Sequence, residues 1–74
     1  MELTDAKSFG KAVQIYRKKQ GVTQLQVAAI ANTGLRFIGE LENGKPTIQL
    51  DKALRVAEIL GMKIMTPNLN EGEK

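Results

Sequence analysis

Apolar residues along the chain fall into four helix-period stripes separated by turn signals, followed by one short alternating run. In the first stripe Phe9, Val13 and Tyr16 recur at i, i+4 and i+7, with Ala12 and Arg17 beside them. That spacing predicts a helix with one buried face. Asp5 can cap it, and Gly21 ends it after about Gln20. The second stripe, "VTQLQVAAIA", opens on Thr23 with Gln26 three residues on, the spacing of a capping box. It predicts a short helix over roughly Gln24 to Ala31, with Val27 and Ile30 inward and Ala28 and Ala31 as small neighbours. The third covers about Leu35 to Asn43. Ile38 and Leu41 face inward, Leu35 and Phe37 lie at the margin, and Gly44 and Pro46 stop it. The fourth covers about Leu50 to Leu60. Its row is Leu50, Leu54, Ala57 and Leu60, with Ala53 and Val56 beside it, before Gly61.

Between the second and third helices stand only Asn32, Thr33 and Gly34. Asn32 is the kind of non-glycine residue that tolerates left-handed backbone. Two short helices joined so tightly must cross steeply, which is the geometry of a helix-turn-helix. After Gly61 the period changes. In "MKIMT" Met62 and Ile64 alternate with Lys63, and the run is too short for a helix. Met62, Lys63, Ile64, Met65 and Thr66 are expected to form a short strand. A lone strand needs a partner, and a second copy of the chain is the natural one. One domain is expected over 1–66, its last part the pairing strand, with a flexible polar tail at 67–74. From Pro67 on, that tail reads equally as a partner-binding segment or a degradation-prone end.

Composition narrows the chemistry. A chain of 74 residues holds one small core, for which oligomerisation is a reasonable staple. There is no cysteine and no histidine. Disulfides, the usual zinc sites and the commonest general base are thereby excluded, and no metal or cofactor is expected. Glu40 and Glu42, two apart on a helix, point to different sides and make no catalytic pair. The start, "MELTDAKSFG", does not resemble a signal peptide, and no apolar run approaches a membrane span. A cytoplasmic location follows as the expectation. The formal net charge of +3 permits a nucleic-acid partner without demanding one. The run "RKK" at 17–19 reads first as a solvated last turn that complements the helix dipole.

The stretch "GVTQLQVAAIANTGLRFIGELENGKPT" resembles the Xre/Cro-type helix-turn-helix of bacterial and phage repressors. The matching pieces are Thr23 and Gln24, Ala28, and the closing Ile38, Leu41, Glu42, Asn43 and Gly44. The resemblance covers roughly residues 9 to 61. Where the family usually has glycine in the turn this chain has Asn32, which adopts the same backbone. The fold implied is all-α, a lambda-repressor-like bundle of four helices, with the short C-terminal strand pairing with its copy in a dimer. The resemblance also implies that Arg17 is structural and pairs with Glu42. A narrower similarity is to HipB-type antitoxins, carried by "RFIGELENGKPT" followed by "LDKALRVAEILGMKIMT". It implies a homodimer on a palindromic double-stranded operator, repression of its own operon, and restraint of a HipA-type serine/threonine kinase toxin.

Within that motif the outer face of the third helix acquires a purpose. Gly39 in mid-helix costs about 1 kcal/mol against alanine, and Arg36 and Glu40 beside it show no obvious pairing with each other. Gly34, Leu35, Arg36, Gly39 and Glu40 become base-contact candidates. Arg36 suits guanine O6 and N7, Glu40 a cytosine amino group, and Leu35 a thymine methyl. Gly39 lets the helix lie close to the groove wall. Thr23, Gln24, Thr33, Asn43 and Lys45 are the phosphate candidates, although Thr23 and Thr33 serve equally as caps and Lys45 as a plain surface lysine. The alternatives are a stand-alone phage or chromosomal repressor of the Xre family, and a protein-interaction module that keeps the fold without DNA binding.

Overall fold

The computed structural model describes residues 3–64. The helices are α1 (Ala6–Lys19), α2 (Gln24–Ala31), α3 (Leu35–Glu42) and α4 (Leu50–Ile59). Each boundary lies within one residue of the sequence expectation, and each has a local cause. Asp5 accepts from the Ser8 N–H while the Ser8 hydroxyl reaches back, a reciprocal cap for α1. Thr23 and Gln26 do the same for α2. Every helix then ends in one way. A left-handed residue closes it, at Gly21, Gly44 and Gly61 just after the cap and at Asn32 as the cap itself. Its N–H and the next one turn back onto carbonyls of the last turn, as in Asn32 to Ala29 and Thr33 to Ala28.

Each helix contributes one fully buried branched side chain to the centre: Val13, Val27, Ile38 and Val56. Ala12, Ala28, Ala31, Ala53 and Ala57 fill the space between them, and Leu41, Leu60 and Met62 close it. Small residues let short helices approach, so α3 packs on α1 and α2 while α2 packs on α4. The tightest approach is at Gly10. A Cβ there would collide with the Leu41 carbonyl oxygen and come within 2.9 Å of that of Glu42.

Four expected core residues lie outside. Tyr16 is exposed, because the inward stripe of α1 is Gly10, Val13 and Arg17. The buried arginine sets the phase of the helix and turns the tyrosine outward, 6.0 Å from the Lys19 ammonium. Ile30 is 65% exposed. The inward arc of α2 is Val27, Ala28 and Ala31, and Ile30 lies about 100° from its centre at 3.6 residues per turn. Leu50 and Leu54 are also exposed, since Ala53, Val56, Ala57 and Leu60 form the buried row of α4. In α2 and α4 alanines hold much of the inward face because the helices are close there, whereas in α1 the paired arginine takes it.

The expected strand is not formed among the described residues. The Met62 N–H closes the end of α4 on the Ala57 carbonyl at 2.9 Å, and its side chain is buried in the core of its own chain. Lys63 and Ile64 follow, exposed and irregular. Met65, Thr66 and the tail 67–74 lie outside the described residues.

Candidate nucleic-acid interface

The site begins with the turn. Asn32 at φ 58° and ψ 47° reverses the chain, and Gly34 at once becomes the N-cap of α3. Gly34 has no side chain, so no side-chain hydrogen bond caps α3. The first N–H groups of that helix therefore face outward without a local acceptor. Thr33 does not supply one: its hydroxyl donates to the Gly34 carbonyl at a long 3.4 Å.

The helix α3 has two chemically different faces. Ile38, Leu41 and Glu42 are buried. On the other side Gly34, Leu35 and Arg36 are exposed, while Gly39 and Glu40 are half-buried. A Cβ built at Gly39 or Gly34 meets nothing within 4 Å. Neither glycine is required by the packing of this chain, unlike Gly10. The mid-helix glycine at 39 thus leaves open space on the outward face at a cost to helix stability.

The inner carboxylate fixes the helix. Arg17 Nε donates to Glu42 Oε2 at 2.6 Å and Arg17 Nη2 to Oε1 at 3.1 Å. Arg17 Nη1 donates to the Val22 carbonyl at 3.0 Å. The Gln24 amide donates to Glu42 Oε1 at 3.0 Å. One carboxylate thereby ties α1, the start of α2 and the end of α3. The side chains of the pair are only 10% and 2% exposed, and no buried side-chain polar atom among the described residues lacks a partner. The bond to Glu42 raises the pKa of Arg17 above its ordinary value, against burial, which works the other way.

The outer carboxylate is bracketed. Arg36 Nε donates to Glu40 Oε2 at 3.1 Å and Lys45 Nζ to Oε1 at 3.3 Å. Arg36 and Glu40, which show no obvious pairing in sequence, are therefore an i,i+4 pair closed by Lys45 from the following loop. The Lys45 bond, and then the Arg36 bond, hold the Glu40 carboxyl below the usual carboxylate range.

The structure brings Gly34, Leu35, Arg36, Gly39, Glu40 and Lys45 onto one outward surface. Asn43, exposed at the C-cap of α3, follows them. Gln24 stands differently: its amide is committed to Glu42, and its backbone N–H lies at the start of α2. Thr23 caps α2 by accepting from the Gln26 N–H at 3.0 Å, which leaves its hydroxyl proton free to donate. Two supporting roles were not read from sequence, that of Gly10 and the bond from Gln24 to Glu42. Gly10 has a signal, since an unforced glycine inside a helix points to close backbone approach. The Gln24 bond to Glu42 has none.

The pattern of the helix-turn-helix family matches residues 13–65, which span all four helices from the middle of α1. The chain is also 49% identical over 56 residues to an HTH-type transcriptional regulator of Sinorhizobium fredii (strain NBRC 101917 / NGR234), y4mF, itself uncharacterized. The match covers 76% of this chain and 74% of that protein. The chain belongs to the Xre-type helix-turn-helix family.

Proposed function

We propose that the chain is a dimeric, sequence-specific DNA-binding repressor, the antitoxin of a HipBA-type pair, which represses its own operon from the cytoplasm and restrains a HipA-type kinase. The observation that carries the DNA-binding reading is the outer face of α3: uncapped at its N-terminus, bare at Gly34 and Gly39, and bearing one arginine and one carboxylate. That is the equipment of a helix laid into a major groove. Arg36 reads a guanine, Glu40 accepts from a cytosine amino group, and Leu35 meets a thymine methyl. Thr23, Thr33, Asn43 and Lys45 hold phosphates on either side, and Gln24 does so through its backbone N–H. A dimer sets two α3 helices about 34 Å apart, one DNA turn. The antitoxin role rests on the resemblance of "LDKALRVAEILGMKIMT" to the HipB subgroup.

Fluorescence anisotropy on the fragment upstream of the coding sequence, with random DNA as control, tests the reading. Arg36→Ala is expected to lose about 1–3 kcal/mol on the upstream fragment alone. Lys45→Ala is expected to weaken both DNAs and flatten the salt dependence. Equal, weak binding of wild type to both DNAs would remove the base-reading role and favour the interaction module.

A further inference from the structure

The outer carboxylate of α3 has a second consequence, which rests on the DNA-binding reading. Arg36 and Lys45 carry the two positive charges of the reading surface, and both are bonded to Glu40 in the free protein. Arg36 comes from the helix and Lys45 from the loop, so the carboxylate sits between the base-reading group and a phosphate-holding group. Its two oxygens are divided between them, Oε2 to Arg36 and Oε1 to Lys45. A DNA phosphate offers those cations the same anionic oxygens, so Glu40 occupies the place a phosphate would take.

We infer that Glu40 is a specificity-determining residue that acts against non-cognate DNA: it holds Arg36 and Lys45 as an internal phosphate substitute, and only DNA offering both a guanine edge and a phosphate in register releases them. Random DNA must displace the carboxylate for phosphate contacts alone, with no base contacts in return. It must also bring its own charge beside an unneutralised Glu40. Cognate DNA recovers the loss through base contacts, including a cytosine amino group for Glu40 itself. Affinity for random DNA is thereby lowered more than affinity for the operator, and the ratio between them widens.

The test is Glu40→Gln beside wild type and Glu58→Gln, on a random duplex and on the upstream fragment, over about 50–200 mM salt. Gln keeps the shape and the helix while removing the charge. Glu58 is exposed on α4 and makes no ion pair among the described residues, so its variant carries the same change of net charge away from the reading surface. Glu40→Gln is expected to bind random DNA about five- to tenfold more tightly at the low-salt end, with a log–log salt slope steeper by up to about 0.9. Its ratio of upstream to random affinity is expected to fall, and Glu58→Gln is expected to track wild type. Random-DNA binding by Glu40→Gln equal to wild type, or matched by Glu58→Gln, would overturn the inference while leaving DNA binding intact. Failure of wild type to bind either DNA at low salt would instead overturn the DNA-binding reading, and the inference with it.

Discussion

Glu42 and Glu40 stand two residues apart on α3, and each is bonded to an arginine. Around Glu42 the arginine comes from another helix, two guanidinium nitrogens engage both oxygens, and water is excluded. Around Glu40 the arginine is one turn back on the same helix, a single nitrogen engages, and the Arg36 side chain is 90% exposed. The first pair is bought with desolvation and is strong only while complete. The second is bathed in water and contributes little to folding. One helix thus keeps the same ionic chemistry for two purposes, with burial deciding which.

The comparison breaks most sharply at the inner pair. Glu42→Ala leaves Arg17 buried with its charge unmet and is expected to cost about 3–5 kcal/mol. That is much of what a domain of this size possesses, at roughly 0.05–0.15 kcal/mol per residue. Urea unfolding followed by circular dichroism reads it directly. The double variant Arg17→Met, Glu42→Leu is expected to recover most of that loss, because the cost lies in the orphaned charge. A double variant no better than the single would mean that the geometry of the network holds α3, rather than its charge balance.

Glycines sharpen the same contrast. Gly10→Ala forces a methyl into the backbone of α3 and is expected to destabilise by about 1–3 kcal/mol. Gly39→Ala meets open space, so the gain in helix propensity stands alone, at about 0.8–1 kcal/mol. Thermal melts should show a midpoint higher by about 4–8 °C for each kcal/mol gained. The stabilised variant is expected to bind the upstream fragment less well. Unchanged DNA affinity in Gly39→Ala would deny the close approach of α3 to the groove.

The smallest effect is in acid. Because the folded pKa of Glu40 lies below its ordinary value, the unfolded chain binds the extra proton first as pH falls. The stability this group supplies is present above the ordinary carboxylate range and fades as pH drops through the depressed folded value. Glu40→Gln is therefore expected to melt slightly below wild type at neutral pH and to merge with it in acid. Asp5, lowered by the Ser8 N–H, titrates in the same direction and steepens the acid limb of both proteins alike. A gap between the two melting curves that survives into strong acid would mean that the lost packing of the carboxylate matters, rather than its charge.

Much of this was legible in the chain. Turn residues and caps gave every helix boundary to within a residue, since Asp5, Thr23, Asn32, Gly44 and Gly61 each act through local backbone chemistry. The outward set on α3 followed from placing Ile38 and Leu41 inward. Sequence reading was weakest where a neighbour decides. Tyr16, Ile30, Leu50 and Leu54 are apolar and periodic, yet alanines and a paired arginine outrank them at the close contacts. The Arg36–Glu40 pair had the ordinary helical spacing, but Lys45 closes it only because Gly44 folds the loop back. The bond from Gln24 to Glu42 joins two helices and has no local signature.

The separation of faces on α3 also bears on how such a protein changes over generations. Ile38, Leu41 and Glu42 fix the helix from one side, and on the other a Cβ at Gly34 or Gly39 meets nothing within 4 Å. A methyl at either position therefore adds no clash with the rest of the fold. On the base-reading role proposed for this face, the binding preference can drift by single steps, each still a folded protein, so that descendants acquire new operators without rebuilding the scaffold.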